Sequence, residues 1–233
     1  MDTLRTRLGT GERRTRRYTV ASQPLTWALA ASAVCVAIFV AWTSTGSAGD
    51  ASYMAVNLVL AWIPVVMSYA IAVAARVHVP AVALFVLGGL WLLFLPNAPY
   101  LLTDVVHVHN FRNPSPGLIA GGLGALAMTG IVLYFASVAT VQKAAASRLD
   151  PRAARWIPPV CALTAGLGIY CGRFLRWNSW DVIANPLGLV RHATRHPHEP
   201  ATVITAIGFA LCCALILEVA YALLSRWGAP DSE

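Results

Sequence analysis

The chain is poor in charge and poorer in acids. Only 12% of its 233 residues are charged, and Asp and Glu number 10 against 17 Lys and Arg. Soluble globular domains carry about 25% charged residues, so a soluble fold is excluded. Strict apolar/polar alternation is also missing, which argues against strands and for helices spanning a bilayer. The five cysteines, Cys35, Cys161, Cys171, Cys212 and Cys213, lie within or at the ends of apolar blocks and show no C-x-x-C spacing. A disulfide framework and a thiolate metal site are therefore unsupported, and the thiols read as small packing residues. No nucleotide-binding fingerprint, serine elbow, HExxH or EF-hand loop occurs. Nor does an internal repeat mark an inverted-repeat transporter.

What fills the chain is hydrocarbon. It is 58% apolar, with a mean hydropathy of +0.63. At about 20 residues per span, the blocks predict six helices: Leu25–Trp42, Tyr53–Ala75, Val79–Leu95, Leu118–Val141, Trp156–Cys171 and Val203–Leu224. The expected fold is all-α, a polytopic transmembrane bundle of about six spans. Residues 1–24 form a basic tail, 25–227 one membrane domain and 228–233 a short C-terminal tail. The Leu25–Trp42 block is long and lacks a clear small-residue cleavage site, so it reads as a retained helix. Trp42, Tyr53, Trp156 and Trp227 sit at block ends, as interfacial aromatic belts require. Pro64 falls inside the second block, where it should kink the helix and free a carbonyl.

Orientation follows from the cations. With the N-terminus inside, the inner flanks hold Arg5, Arg7, Arg13, Arg14, Arg16, Arg17, Arg76, Lys143, Arg148, Arg152, Arg155 and Arg226, twelve in all. The outer flanks hold five, Arg112, Arg173, Arg176, Arg191 and Arg195. This bias predicts an N-in/C-in arrangement, with both tails cytoplasmic, in a multi-pass cell-membrane protein. The tail arginines read as a topology signal, so no nucleic-acid partner is expected.

Two polar strings interrupt the hydrocarbon, Phe94 to His109 and Gly172 to Asp181. The predicted topology brings both to the outer face, each at the end of an odd-numbered helix. Polar groups near membrane depth are costly and usually have a partner or a task. In the first string, Pro96 and Pro99 should break the helix and push Leu95 and Ala98 toward extended backbone. Asn97 is the natural group to close that break, and exposed backbone here, with Tyr100 beside it, is also a candidate ligand-binding loop. Thr103 or Asp104 would cap a following turn, placing Asp104 and His107 on one face. A carboxylate beside an imidazole suits capping, proton transfer or shared metal binding. Asp-x-x-His alone falls short of the ligand count of a zinc site, so no metal is assigned and the cofactor is left unknown.

In the second string, Arg173 and Arg176 share a helical face ahead of Trp177, Asn178, Trp180 and Asp181. Paired guanidiniums can clamp a phosphate or carboxylate. They can also snorkel to lipid phosphates beside belt tryptophans, or join Asp104 and Asp181 in an ion-pair network. Glu218, deep in the last span, reads as a hydrogen-bonded structural acid or a proton-coupled site, and Asn57 as interhelical glue. His192, His196 and His198 read as a solvated loop. Gly117-x-x-x-Gly121 and Gly168-x-x-x-Gly172 read as close-packing stripes.

The string from Phe94 through Tyr100, with Thr103, Asp104 and His107, then Gly168-Ile169-Tyr170 and the run from Gly172 to Asp181, resembles domain of unknown function 1361. That family consists of bacterial integral membrane proteins. The resemblance spans the second helix to the last. It implies a bacterial cell-membrane location and supplies no activity, so no catalytic residue is carried over from it.

Three function classes stay open: a small-molecule or ion carrier, a membrane-embedded enzyme acting on an anionic lipid-linked substrate, and a structural or accessory membrane protein. The lack of a recognisable catalytic set favours the last. Catalytic candidates are Asp104, His107 and Asp181; ligand-binding candidates are Asn97, Tyr100, Arg173, Arg176, Trp177 and Asn178. The expected partners are the lipid bilayer, an anionic lipid or lipid-linked ligand, and another membrane protein. The classes differ in geometry. An enzyme needs its acids and imidazole around a cavity, and a carrier needs polar residues leading to the inner face. A scaffold needs polar groups that satisfy one another and leave no cavity.

Overall fold

The computed structural model describes residues 25–41, 43–44, 52–104, 116–148, 151–188, 191 and 200–227. Each of the six apolar blocks forms a helix. They are α1 (Leu25–Ala41), α2 (Ser52–Arg76), α3 (Ala81–Phe94), α5 (Pro116–Ala146), α7 (Ile157–Phe174) and α9 (Pro200–Trp227). Short helical turns fill three junctions: α4 (Asn97–Tyr100), α6 (Pro151–Ala154) and α8 (Ser179–Ala184). Among the described residues there is no strand.

Four segments are long and apolar enough to cross a membrane: Tyr53–Arg76, Ala81–Asp104, Ile119–Ala146 and Val203–Leu223. The chain is thus a multi-pass integral membrane protein. Of the six expected spans, α1 is a shorter apolar helix. The apolar stretch of α7 is trimmed by Pro158 and Pro159 at its start and Arg173 at its end. Large apolar side chains cover the outside of the bundle, with Phe85 83% and Val82 74% exposed. In a bilayer these face lipid.

The middle of the bundle is α5, whose Leu133, Tyr134 and Val138 are fully enclosed. Helix α2 packs along α5, α9 packs along α7, and α5 joins the two pairs. Several polar groups inside are hydrogen-bonded, as a hydrocarbon environment favours. Trp91 Nε1 donates to Ser137 Oγ at 2.8 Å, and Ser137 Oγ donates to the Pro64 carbonyl at 2.9 Å. The expected weak point at Pro64 is thereby stapled to two other helices.

The double-proline segment departs from expectation. Its backbone does not extend: Leu95 (φ −54, ψ −39) and Pro96 (φ −60, ψ −22) are both right-handed helical. The chain turns through α4 and a 3-10 turn at 101–104. Packing overrides the local preference, because Leu95, Ala98, Pro99 and Leu101 are all buried. Two glycines open the space they occupy. A Cβ on Gly130 would collide with the Ala98 carbonyl, and one on Gly168 with the Pro96 ring. The second glycine stripe therefore packs closely, as read. The first does not, since a Cβ on Gly117 or Gly121 would meet nothing within 4 Å.

Candidate functional site

The start of α2, the end of the α3–α4 segment and the end of α7 meet at one end of the bundle, and the two polar strings meet there with them. Gly172 makes the approach possible: a Cβ there would stand 3.0 Å from the Tyr100 ring. Asn97 does not close a helix break. Its Nδ2 donates to Ser179 Oγ at 3.3 Å, and Ser179 Oγ donates to the Leu93 carbonyl at 2.9 Å. The first string is thus tied to the second through two hydrogen bonds.

Between them lies a polar chamber of about 420 Å³, walled by Tyr53, Asn57, Tyr100, Asp104, Arg173, Arg176 and others. Asp104 is 1% exposed. Asn57 Nδ2 lies 3.2 Å from its Oδ1 and 3.0 Å from its Oδ2, and Arg173 acts on it electrostatically. Among the described residues, neither Arg173 nor Arg176 has a hydrogen-bonded or ion-paired partner.

Arg176 is held in an unusual way. Its φ is +56°, in the left-handed region where glycine is the ordinary occupant. The Cys171 carbonyl accepts from both Leu175 N at 3.2 Å and Trp177 N at 3.1 Å, fixing this exit from α7. A side chain kept where the backbone favours none is a reason to look for a task.

A second, more apolar chamber of about 510 Å³ adjoins the first. The two share Asn57, Tyr100, Gly172 and Asn178. The second runs down between α2, α3, α7 and α8, past Leu60, Gly89, Leu92, Leu93 and Thr164, with Trp177 on its wall.

Asp181 stands apart. Its Oδ2 accepts from Asn178 N at 2.8 Å and Asn178 Nδ2 at 3.3 Å, closing the first turn of α8, and it lines neither chamber. Thr103 Oγ1 donates back to the Tyr100 carbonyl at 2.7 Å. The exposed Trp180 fits the interfacial belt. His107, His109, His192, His196 and His198 lie outside the described residues. No cluster of three or more metal-ligating side chains occurs among the described residues. At the other end of the bundle, Glu218 Oε2 is buried without a hydrogen-bond partner among the described residues.

Three contributors escaped the sequence reading. Asn57 supports Asp104 as well as packing between helices, Ser179 is the junction of the two strings, and the apolar chamber has no motif at all. Tyr53 and Asn57 at i,i+4 on one helix face were the available signal for the first.

Residues 56–216 match the model of a family described as a protein of unknown function (DUF1361). No curated protein and no solved structure matches the chain.

Proposed function

The chain belongs to the DUF1361 family, a premise that brings no activity with it, and we propose that it is a ligand-binding membrane protein that captures an anionic group in the polar chamber. The carrying observation is the pair of guanidiniums on that wall, half-buried Arg173 and exposed Arg176, which have no hydrogen-bonded or ion-paired partner among the described residues beyond the longer-range pull between Arg173 and Asp104. Charges near membrane depth are normally paired. Two guanidiniums against the single carboxylate of Asp104 leave an excess of positive charge, and Asn57 already engages both oxygens of that carboxylate. Guanidinium forks match phosphate and carboxylate oxyanions.

A purely structural role calls for polar strings that satisfy each other and close up. Two adjoining chambers support binding instead. Asp181, committed to the start of α8, lends the enzyme reading no support. The charge bias of the flanks supports an N-in/C-in arrangement, with the chamber on the outer face of a bacterial cell membrane.

The test is thermal unfolding of the purified protein against inorganic phosphate, since a ligand that binds only the folded state raises its stability. Wild-type protein should show a saturable rise in Tm that the Arg173→Gln/Arg176→Gln double variant lacks. Equal responses in the two proteins, or none in the wild type, would remove the reading.

A further inference from the structure

We infer that the captured anion is the head group of an amphiphile whose apolar tail lies in the 510 Å³ chamber, reached sideways from the lipid. This rests on the binding reading above and adds the chemical class of the ligand.

Three observations carry it. First, the chambers are neighbours with opposite chemistry. One presents Arg173, Arg176 and Asp104, the other Leu60, Gly89, Leu92, Leu93 and Val182, and Asn57, Tyr100, Gly172 and Asn178 belong to both. Each lies within the range of about 300–1,000 Å³ usual for small-molecule sites. A free anion would use only the first, and a neutral hydrocarbon only the second. A molecule with an oxyanion at one end and a hydrocarbon chain at the other matches both.

Second, the apolar chamber runs in the direction that a lipid tail takes. From Gly172 at the shared wall to Thr164, the α7 lining descends about 12 Å along the helix axis at 1.5 Å per residue. That is away from the polar end and toward the middle of the bundle. A head group at the arginines and a tail pointing inward reproduce the orientation of a lipid in a leaflet.

Third, the chamber is open on its lipid side. Gly89 on α3 and Val182 on α8 line it and are themselves exposed. A Cβ placed on Gly89 would meet nothing within 4 Å. Helix α3 packs chiefly on α2 and only lightly on α7, and the chamber lies between residues of α3 and α7. Glycine at position 89 puts no side chain into that space.

The same glycine supplies the test. Gly89→Phe projects a ring into open space, and Gly88→Phe, also in open space but not on the chamber wall, is the control. Native mass spectrometry of the full chain from micelles doped equally with phosphatidic acid and phosphatidylcholine reads lipid retention. The phosphate-induced rise in Tm reads the head-group chamber alone. Wild type should retain phosphatidic acid over phosphatidylcholine by about tenfold or more. Gly89→Phe should cut that retention about tenfold, since losing two buried methylenes is enough for such a change. Its phosphate response should be unchanged, and Gly88→Phe should behave as wild type. Gly89→Leu serves if the phenylalanine variant fails to insert.

Retention of phosphatidic acid by both Gly89 variants at the wild-type level would overturn the inference. So would a wild type that responds to phosphate but prefers neither lipid, and in both cases the binding reading survives. Undiminished retention by Arg173→Gln/Arg176→Gln would take the head group away from the arginines and overturn the inference too. A wild type that neither responds to phosphate nor retains phosphatidic acid would end the binding reading itself.

Discussion

Asn97 and Ser179 are 82 residues apart in sequence and joined by a 3.3 Å hydrogen bond that fixes one polar string against the other. Ser179 spends its proton on the Leu93 carbonyl, near the end of α3, where carbonyls run out of intrahelical donors. Its lone pairs are left for the Asn97 amide, so each group has one role that the other completes. Ser179→Ala removes both bonds and should cost about 1–3 kcal/mol, and Asn97→Ala, removing one, about 1 kcal/mol. Because the bonds share an atom, the double variant should cost less than the sum. Unfolding in mixed micelles measures all three, and strict additivity would mean that the two residues do not act together.

The glycines that admit the double-proline segment should be intolerant of a methyl group. Gly168→Ala drives a Cβ into Pro96 and Gly130→Ala drives one into the Ala98 carbonyl. Each should destabilise by about 1–3 kcal/mol, as overpacking does. Gly121→Ala enters open space and should be neutral or stabilising by up to about 1 kcal/mol, the helix-propensity difference between the two residues. Unfolding midpoints of the three variants would separate a packing role from a propensity effect.

The hydrophobic blocks made the helices legible, because in a bilayer helix length and apolar run coincide. The union of the strings was legible for the same reason, since counting spans puts Asn97 and Arg173 at one end of the bundle. The conformation of Pro96 and Pro99 was not, because local rules push Leu95 and Ala98 away from the helix, whereas burial against Gly130 and Gly168 holds them in it. Asp181 misled in a similar way. An acid beside two arginines reads as part of their site, but Asn178 three residues earlier makes it a helix-start partner. The apolar chamber left no trace in the sequence, because Leu60, Gly89 and Leu93 look like any lipid-facing residues until the gap between helices is seen.

Removing Asn57 should cost more than removing the pair it belongs to. Asn57→Leu leaves the buried Asp104 carboxylate without its amide partner, at about 1–3 kcal/mol. Adding Asp104→Leu takes away the carboxylate as well, so the double variant should recover part of the loss. Denaturation curves of the two variants decide this. A double variant worse than Asn57→Leu would mean that Asp104 has a stabilising partner stronger than Asn57.

Arg176 offers the sharpest separation of stability from binding. Its left-handed backbone costs a side-chain-bearing residue about 1–2 kcal/mol that glycine does not incur, offset in part by the greater chain entropy glycine loses on folding. Arg176→Gly should therefore raise stability, by up to about 1 kcal/mol, while diminishing the phosphate response. Arg176→Lys should keep the strain and the charge but lose the fork geometry, giving unchanged stability and an intermediate response. A protein that gains stability by losing an arginine retains that arginine for something other than folding. If Arg176→Gly instead lowers stability, the guanidinium is anchoring the end of α7, and the case for an anion beside it weakens with it.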